Sequence, residues 1–341
     1  MDKKINVLAT VAILGQSRKL ILDASDRIKL TVIQARTAED IPNEIWGETD
    51  ILYTWKVLPD AEKVPNLKWA HFKSAGIDPF IKHPILQSSN ITITTSSGVI
   101  TSQVAEYVLM AMLAFGQKLP KLRSYQQEGK WPKREEKWSE LIPVELRYST
   151  VGILGYGSIG RQVARLLQPF GAAVLAIKQD TMHPEDTGYA RQGMGDPHGD
   201  LFKRLYPMEA LHGMLSECDF VVAALPLTDS TQHILDADAF QSMKESAYLI
   251  NVCRGAVINQ NALITALETN QIAGAALDVF EEEPLPEDSP LWEMENVIIS
   301  PHVSGLSQYI DEDTLSLFIE NLNRYLVDLP LYNQVDIHQG Y

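Results

Sequence analysis

The sequence predicts an α/β protein made of two doubly wound parallel-sheet domains, one inserted in the other. Two separate series of short β-rich runs alternate with helical stretches, and an amphipathic helix follows the second series. A chain of 341 residues also exceeds what one ordinary core accommodates.

In the first series, Ile5–Leu14, Ile28–Ile33, Asp50–Trp55, Leu67–Phe72 and Ile91–Thr95 read as strands, with a helix at Ala38–Trp46. The run after Lys3 and Lys4 resembles the start of a secretory signal. However, Gly15-Gln16-Ser17-Arg18-Lys19 follows where a small-residue cleavage site belongs, so the run is read as a buried strand. No apolar stretch reaches the roughly 20 residues that cross a bilayer, and a cytoplasmic protein is expected.

A long helix is predicted from about Ser102 to Gln127, capped by Thr101 or Ser102, with Val104, Val108, Ala111 and Met112 at helical spacing. That face reads as core or subunit interface. The second series, Thr150–Leu154, Ala173–Ile177, Asp219–Leu225, Ala247–Val252, Gly274–Val279 and Val297–Ser300, has the six strands of two mononucleotide-binding halves. The helix Asp311–Val327 carries Leu315, Phe318, Ile319, Leu322 and Leu326 on one face and is expected to pack back on the first domain. The outer domain is thus placed at residues 1–117 and 308–341, and the inner one at 118–307. Thr181–Pro207, rich in Gly, Pro, His and charge, exceeds the usual strand-to-helix link of about 2–6 residues. It is read as a surface excursion, with a flap near a ligand as the alternative.

Composition narrows the function. With 45% hydrophobic and 21% charged residues the chain is globular, and its net charge of −15 speaks against a nucleic-acid surface. Anionic ligands would need local cations. Cys218 and Cys253 are the only cysteines, which fits a reducing compartment, and the eight scattered histidines form no H-E-x-x-H pair, so no metal is expected.

Gly155-Tyr156-Gly157-Ser158-Ile159-Gly160 is a G-x-G-x-x-G run between the strand Val151–Leu154 and the helical Arg161–Leu167. The first glycine permits the tight turn, the second admits a pyrophosphate, the third allows close helix packing, and the helix N-terminus faces the phosphate charge. Dinucleotide binding follows. The residue reading the adenosine ribose should end the next strand, about 20 residues on. That residue is Lys178, which favours NADP over NAD, with Asp180 as the alternative reader serving NAD.

Three segments fall at the ends of later strands, where ligands gather in open α/β sheets. They are Asn251-Val252-Cys253-Arg254-Gly255, the stretch from Asp278 through Glu283 to Pro286, and Pro301-His302-Val303-Ser304-Gly305. Reduction of a 2-keto acid requires such a set. An arginine clamps the carboxylate, a histidine gives a proton to the keto oxygen as hydride arrives, and a carboxylate orients the imidazole.

These segments resemble the D-isomer-specific 2-hydroxyacid dehydrogenase family. So do Asn66–Trp69 leading to Ser74-Ala75-Gly76-Ile77-Asp78, Thr95–Gly98 with Val104–Tyr107, and Leu225-Pro226-Leu227-Thr228 with Thr231. The likeness covers nearly the whole chain apart from Thr181–Pro207. It implies a Rossmann cofactor domain inserted in a flavodoxin-like substrate domain. Arg254, Glu283 and His302 would be catalytic, and Ser74, Ala75 and Gly76 would give backbone donors to the substrate beside Arg254. Asp278 would hold the nicotinamide carboxamide, with Leu225, Pro226, Thr231, Val252, Cys253, His302 and Gly305 around the cofactor. The resemblance also implies a homodimer paired through the long-helix region. A nicotinamide-sensing corepressor is the competing class, and the full Arg254, Glu283 and His302 set weighs against it. The formate dehydrogenases, similar at Pro301–Gly305, carry glutamine at the position of Glu283. Cys253 is read as a core filler, His71 and His83 as structural, and Trp55 with Lys56 as pocket or plain surface.

Overall fold

The computed structural model describes residues 4–13, 15–337 and 339–340, so Leu14, the expected end of the first strand, lies outside the description. In chain order the strands and helices are β1 (Ile5–Ala9), α1 (Gly15–Asp23), β2 (Ile28–Val32), α2 (Asn43–Glu48), β3 (Ile51–Thr54), β4 (Trp69–Phe72) and β5 (Thr92–Thr95). Then come α3 (Thr101–Gly116), α4 (Leu119–Gln127), α5 (Arg134–Glu140), β6 (Thr150–Leu154), α6 (Ser158–Leu167), β7 (Ala173–Ile177), β8 (Arg204–Tyr206), α7 (Leu211–Leu215) and β9 (Phe220–Ala223). The chain closes with α8 (Ala237–Ser242), β10 (Tyr248–Asn251), α9 (Gln260–Glu268), β11 (Gly274–Leu277), β12 (Val297–Ile299) and α10 (Ile310–Leu326). Two compact units result, Met1–Ile100 with Ser307–Tyr341, and Thr101–Leu306. The break falls before the long helix rather than at 117, because α3 packs along α6 and against β10 of the second unit.

The first unit is a five-stranded parallel sheet in the order β2-β1-β3-β4-β5, the flavodoxin-like arrangement. Both faces are covered, which is why its strands read as near-continuous apolar runs. On one face Tyr53 and Trp69 meet Phe318 of α10, with ring centroids 4.6 and 5.2 Å apart, and Leu315 and Leu322 complete the cluster. The helical face expected at the end of the chain is therefore the core of the first unit. On the other face Trp46, Leu52, Phe72 and Ile85 pack together. The helix expected at Ala38–Trp46 is divided by Pro42: a single 3-10 turn spans Ala38–Asp40 and α2 begins after the proline.

The second unit holds seven parallel strands in the order β12-β11-β10-β9-β6-β7-β8. This is the two-halved mononucleotide arrangement with one strand more than the six expected, and the addition at the β7 edge is β8. The residues of the Thr181–Pro207 stretch thus include a strand, and the excursion proper connects β7 to β8. The helix expected at Ser102–Gln127 begins at Thr101 itself and is broken near Lys118, which adopts φ +58°. Pro120 is the cause. It lacks an N–H and cannot follow the carbonyl of Gly116 in a helix, and Gly116 O instead accepts from Val144 N at 2.9 Å. Nor did the pattern anticipate α1 and α5.

His71 sits in β4 with no exposed surface, Nδ1 2.7 Å from Thr94 Oγ1 and Nε2 3.2 Å from Ser96 Oγ. Burial pushes its pKa down to about 3. The neutral ring is therefore the folded form, whereas the unfolded chain protonates near pH 6.5. Stability is intact above that value and erodes as the pH falls towards 3. In urea titrations between pH 6.5 and 4, His71→Asn should reduce the slope of unfolding free energy by about 1.4 kcal/mol per pH unit. Identical slopes would refute a buried neutral imidazole.

Candidate active site

The glycine-rich run forms the turn from β6 into α6. Gly155 adopts φ +97°, and a Cβ there would lie 2.6 Å from Ala224 O; at Gly160 it would lie 2.3 Å from Gly155 O. These two glycines are required by backbone contacts within the protein. Gly157 differs, since a Cβ would meet nothing within 4 Å. Its missing side chain leaves open space at the N-terminus of α6, beside Ser158 and Ile159, where the first N–H groups of a ten-residue helix lack intrahelical acceptors. That cradle fits the pyrophosphate of a dinucleotide.

Lys178 follows β7 directly, as the sequence indicated, and its amine donates to His183 O. Burial, then the nearby Arg161 charge, lowers its pKa. Asp180, the alternative reader, turns inward on its own segment, accepting from Met182 N at 3.0 Å and contacting His183 Nδ1 at 2.7 Å. The excursion lies against the glycine-rich loop rather than standing off as a plain surface feature: the Tyr156 hydroxyl donates to Asp196 Oδ2 at 2.7 Å, and both residues are buried.

The three polar segments follow the neighbouring strands β10, β11 and β12. Asn251, 1% exposed, braces the first, with Oδ1 accepting from Cys253 N and Nδ2 donating to Arg254 O. Gly255 lets this turn press against the next segment, for a Cβ would lie 1.8 Å from Phe280 C. Arg254 stands at that turn, half-buried, with Nη1 donating to Cys253 O at 2.8 Å. Glu283 then reaches across to the third segment, and its Oε2 lies 2.8 Å from His302 Nδ1 while Oε1 accepts from Phe280 N. The acidic run is thus only partly a solvated face, because Glu281 also pairs with His233 Nε2 at 2.7 Å.

His302 adopts φ +54°, a left-handed conformation rare outside glycine. Asp278 holds it there. Its backbone O accepts from His302 N at 2.8 Å, and its fully buried carboxylate accepts from Val303 N, Ser304 N and the Ser300 hydroxyl. A carboxylate only accepts, so Ser300 spends its proton on Asp278 and receives one from the Tyr107 hydroxyl, 2.7 Å away. Burial raises the Tyr107 pKa, which keeps that proton in place. Tyr107 and Ser300 were passed over as site residues. Ser300 is a hydroxyl at a strand end, and Tyr107 lies among the apolar positions of α3, between Val104 and Val108.

The remaining candidates fall around these segments. Leu225 and Thr231 are buried, and Thr231 Oγ1 donates to Pro226 O at 2.6 Å and accepts from Thr228 N, which closes that loop on itself. Val252 and Cys253 are buried, and Gly305 O accepts from Gln103 Nε2. Burial pushes the Cys253 thiol up to about 11, in keeping with a core filler rather than a nucleophile. In the first unit, Ser74, Ala75 and Gly76 follow β4. The Ser74 hydroxyl is buried without a hydrogen-bond partner among the described residues. Trp55, 58% exposed, lies under the Lys56 amine, 5.7 Å from its ring centroid.

Comparisons with known proteins agree with this arrangement. Residues 109–304 match the family described as D-isomer specific 2-hydroxyacid dehydrogenase, NAD binding domain. An uncharacterized protein of Corynebacterium melassecola is 31% identical over 86% of this chain and 90% of its own length. The glyoxylate/hydroxypyruvate reductase B of Pectobacterium carotovorum is 33% identical over 76% of each chain. Among solved structures, a D-isomer specific 2-hydroxyacid dehydrogenase from Xanthobacter autotrophicus, in complex with NADPH and MES, superposes with a TM-score of 0.80 at 28% identity, covering 100% of both chains. A family match over more than half the chain, coinciding with the unit that carries the glycine-rich turn and the Glu283–His302 pair, settles the assignment: this chain belongs to the D-isomer specific 2-hydroxyacid dehydrogenase family.

Proposed function

We propose that the protein reduces a small 2-keto acid to the D-2-hydroxy acid, with His302 as acid/base, Glu283 orienting it and Arg254 holding the substrate carboxylate. The observation that carries this reading is the 2.8 Å contact between His302 Nδ1 and Glu283 Oε2. With Nδ1 engaged, Nε2 is the nitrogen that delivers a proton to the keto oxygen, and Glu283 orients the ring that supplies it. The bound nicotinamide supplies the hydride to the carbonyl carbon. In the oxidative direction His302 takes the hydroxyl proton back. The guanidinium fork of Arg254 matches a carboxylate through two parallel N–H donors. Asp278 is assigned to the nicotinamide end of the cofactor through the Val303 and Ser304 backbone that its buried carboxylate fixes. Ser74, Ala75 and Gly76 are assigned to substrate binding through their backbone donors.

Glyoxylate and hydroxypyruvate are the first substrates to test, because the Pectobacterium relative carries both in its name. A panel of 2-keto acids with NADH and NADPH, read by nicotinamide absorbance, should give turnover. His302→Ala should lower kcat about 100-fold or more while leaving dinucleotide affinity unchanged. Arg254→Ala should act chiefly on KM for the keto acid. Full activity in the histidine variant would rule out this mechanism.

NADP is the proposed preference, supported by Lys178 at the end of β7 and by the NADPH in the Xanthobacter structure. Lys178→Ala should weaken NADPH about tenfold, the worth of one charged hydrogen bond, and NADH less than twofold. Equal effects on the two dinucleotides would remove that preference.

A homodimer is proposed through α3 to α5, which expose Met110, Leu119, Leu122, Trp131 and Trp138. A cytoplasmic setting is proposed with it, supported by two free cysteines. Light scattering should return twice the 38.1 kDa chain mass, and a monomer at micromolar concentration would exclude the dimer.

A further inference from the structure

The excursion between β7 and β8 is built around two buried charged residues. Arg161, 2% exposed in the second turn of α6, sends Nη1 to Asp196 O at 2.7 Å and Nη2 to Pro184 O at 2.6 Å and Glu185 O at 3.1 Å. Asp196, 1% exposed, accepts from Gly199 N, from Leu201 N and from the Tyr156 hydroxyl. Gly195 adds two further ties to α6, its N–H donating to Gln162 Oε1 and its carbonyl accepting from Arg165 Nε. The excursion is thus fastened to α6 by three side chains on two successive turns, Arg161, Gln162 and Arg165, and among the described residues Tyr156 ties it to the glycine-rich loop.

Tyr156 occupies the position between Gly155 and Gly157. Its ring meets the Arg161 guanidinium, 4.8 Å from the centroid, and the Phe202 ring, edge-on at 5.2 Å. Its backbone N–H donates to Ile177 O, as does that of Gly155. The hydroxyl, ring and N–H of this residue are all held. A loop whose backbone N–H groups must meet a pyrophosphate binds more tightly when its shape is fixed before the ligand arrives.

We propose that Asp196 is a positioning residue for the dinucleotide: through the Tyr156 hydroxyl it locks the Gly155–Gly157 backbone in the shape that receives the pyrophosphate. The excursion is then a brace of the cofactor loop and acts on NADH and NADPH alike, unlike Lys178. This rests on the dinucleotide reading of the glycine-rich run. Burial tends to raise the Asp196 pKa, but the donors from Leu201 N and Tyr156 outweigh it and the carboxyl lies below its ordinary value, so the anion that accepts these bonds persists at neutral pH.

The test is titration of the purified full-length protein with NADH and with NADPH by calorimetry, alongside thermal melting of the free protein. Tyr156→Phe keeps the ring and removes only the bond; Asp196→Asn is the second variant. Each should raise Kd for both dinucleotides by roughly the same fivefold, with kcat at saturating cofactor unchanged. The double variant should be no worse than the weaker single, since both remove one shared bond. A lowered melting temperature with Kd within twofold of wild type in both variants would overturn the proposal and leave the excursion a purely structural element. A wild-type protein that binds neither dinucleotide would overturn the cofactor reading and the brace together, so the two failures are distinguishable.

Discussion

The buried carboxylate of Asp278 is the constraint on which the site geometry depends. It stands just past β11, between the strand ends that carry Arg254 and His302, and has no exposed surface. An unpaired carboxylate there would be prohibitively costly, so its acceptor sites must be filled. Filling them fixes the backbone at Val303 and Ser304 and the hydroxyl of Ser300, and a residue bracketed on both sides has little freedom left. The left-handed conformation of His302 is the local cost, of order 1 kcal/mol or more, and the bracketing bonds offset it. The imidazole that meets Glu283 is therefore aimed by backbone geometry as much as by its own side-chain contact.

Electrostatics makes a second demand on this NAD(P)-dependent hydroxyacid dehydrogenase. Its net charge is −15, yet dinucleotides and keto acids are anions. Attraction has to be local. In the function proposed above it comes from the open N-terminus of α6, Lys178 and Arg254, each of which stands just beyond the carboxyl end of a strand. The remote field then contributes repulsion that salt screens, while the groups at the strand ends act within a few ångströms.

Much of this was legible in the amino-acid order, for physical reasons that differ from residue to residue. Val7, Leu52 and Val222 lie in strands covered on both faces, so continuous apolar runs marked them. Arg254 and His302 could be singled out as polar residues just past such runs, and Glu283 by its place directly before Pro284. The strand β8 was not visible: Arg204-Leu205-Tyr206 is three residues long, lies at a sheet edge and is exposed at its start. The break in the long helix falls at Pro120, beyond the apolar spacing of Val104 to Met112 from which that helix was read. Tyr107 and Ser300 are 193 residues apart, and Tyr156 and Asp196 are 40 apart. A bond between polar groups so distant in sequence depends on the tertiary fold and leaves no periodic trace along the chain.

The placement of α10 bears on how the polypeptide matures during synthesis. Thr101–Leu306 is contiguous and holds every strand of its own sheet, so it can close as soon as it clears the ribosome. The first hundred residues cannot. Tyr53 and Trp69 wait for Phe318, which is made some 250 residues later, and until then one side of their sheet is an uncovered apolar surface. The earliest-made segment is thus the last to be sealed, and the interval between is when a nascent chain is most in need of a chaperone.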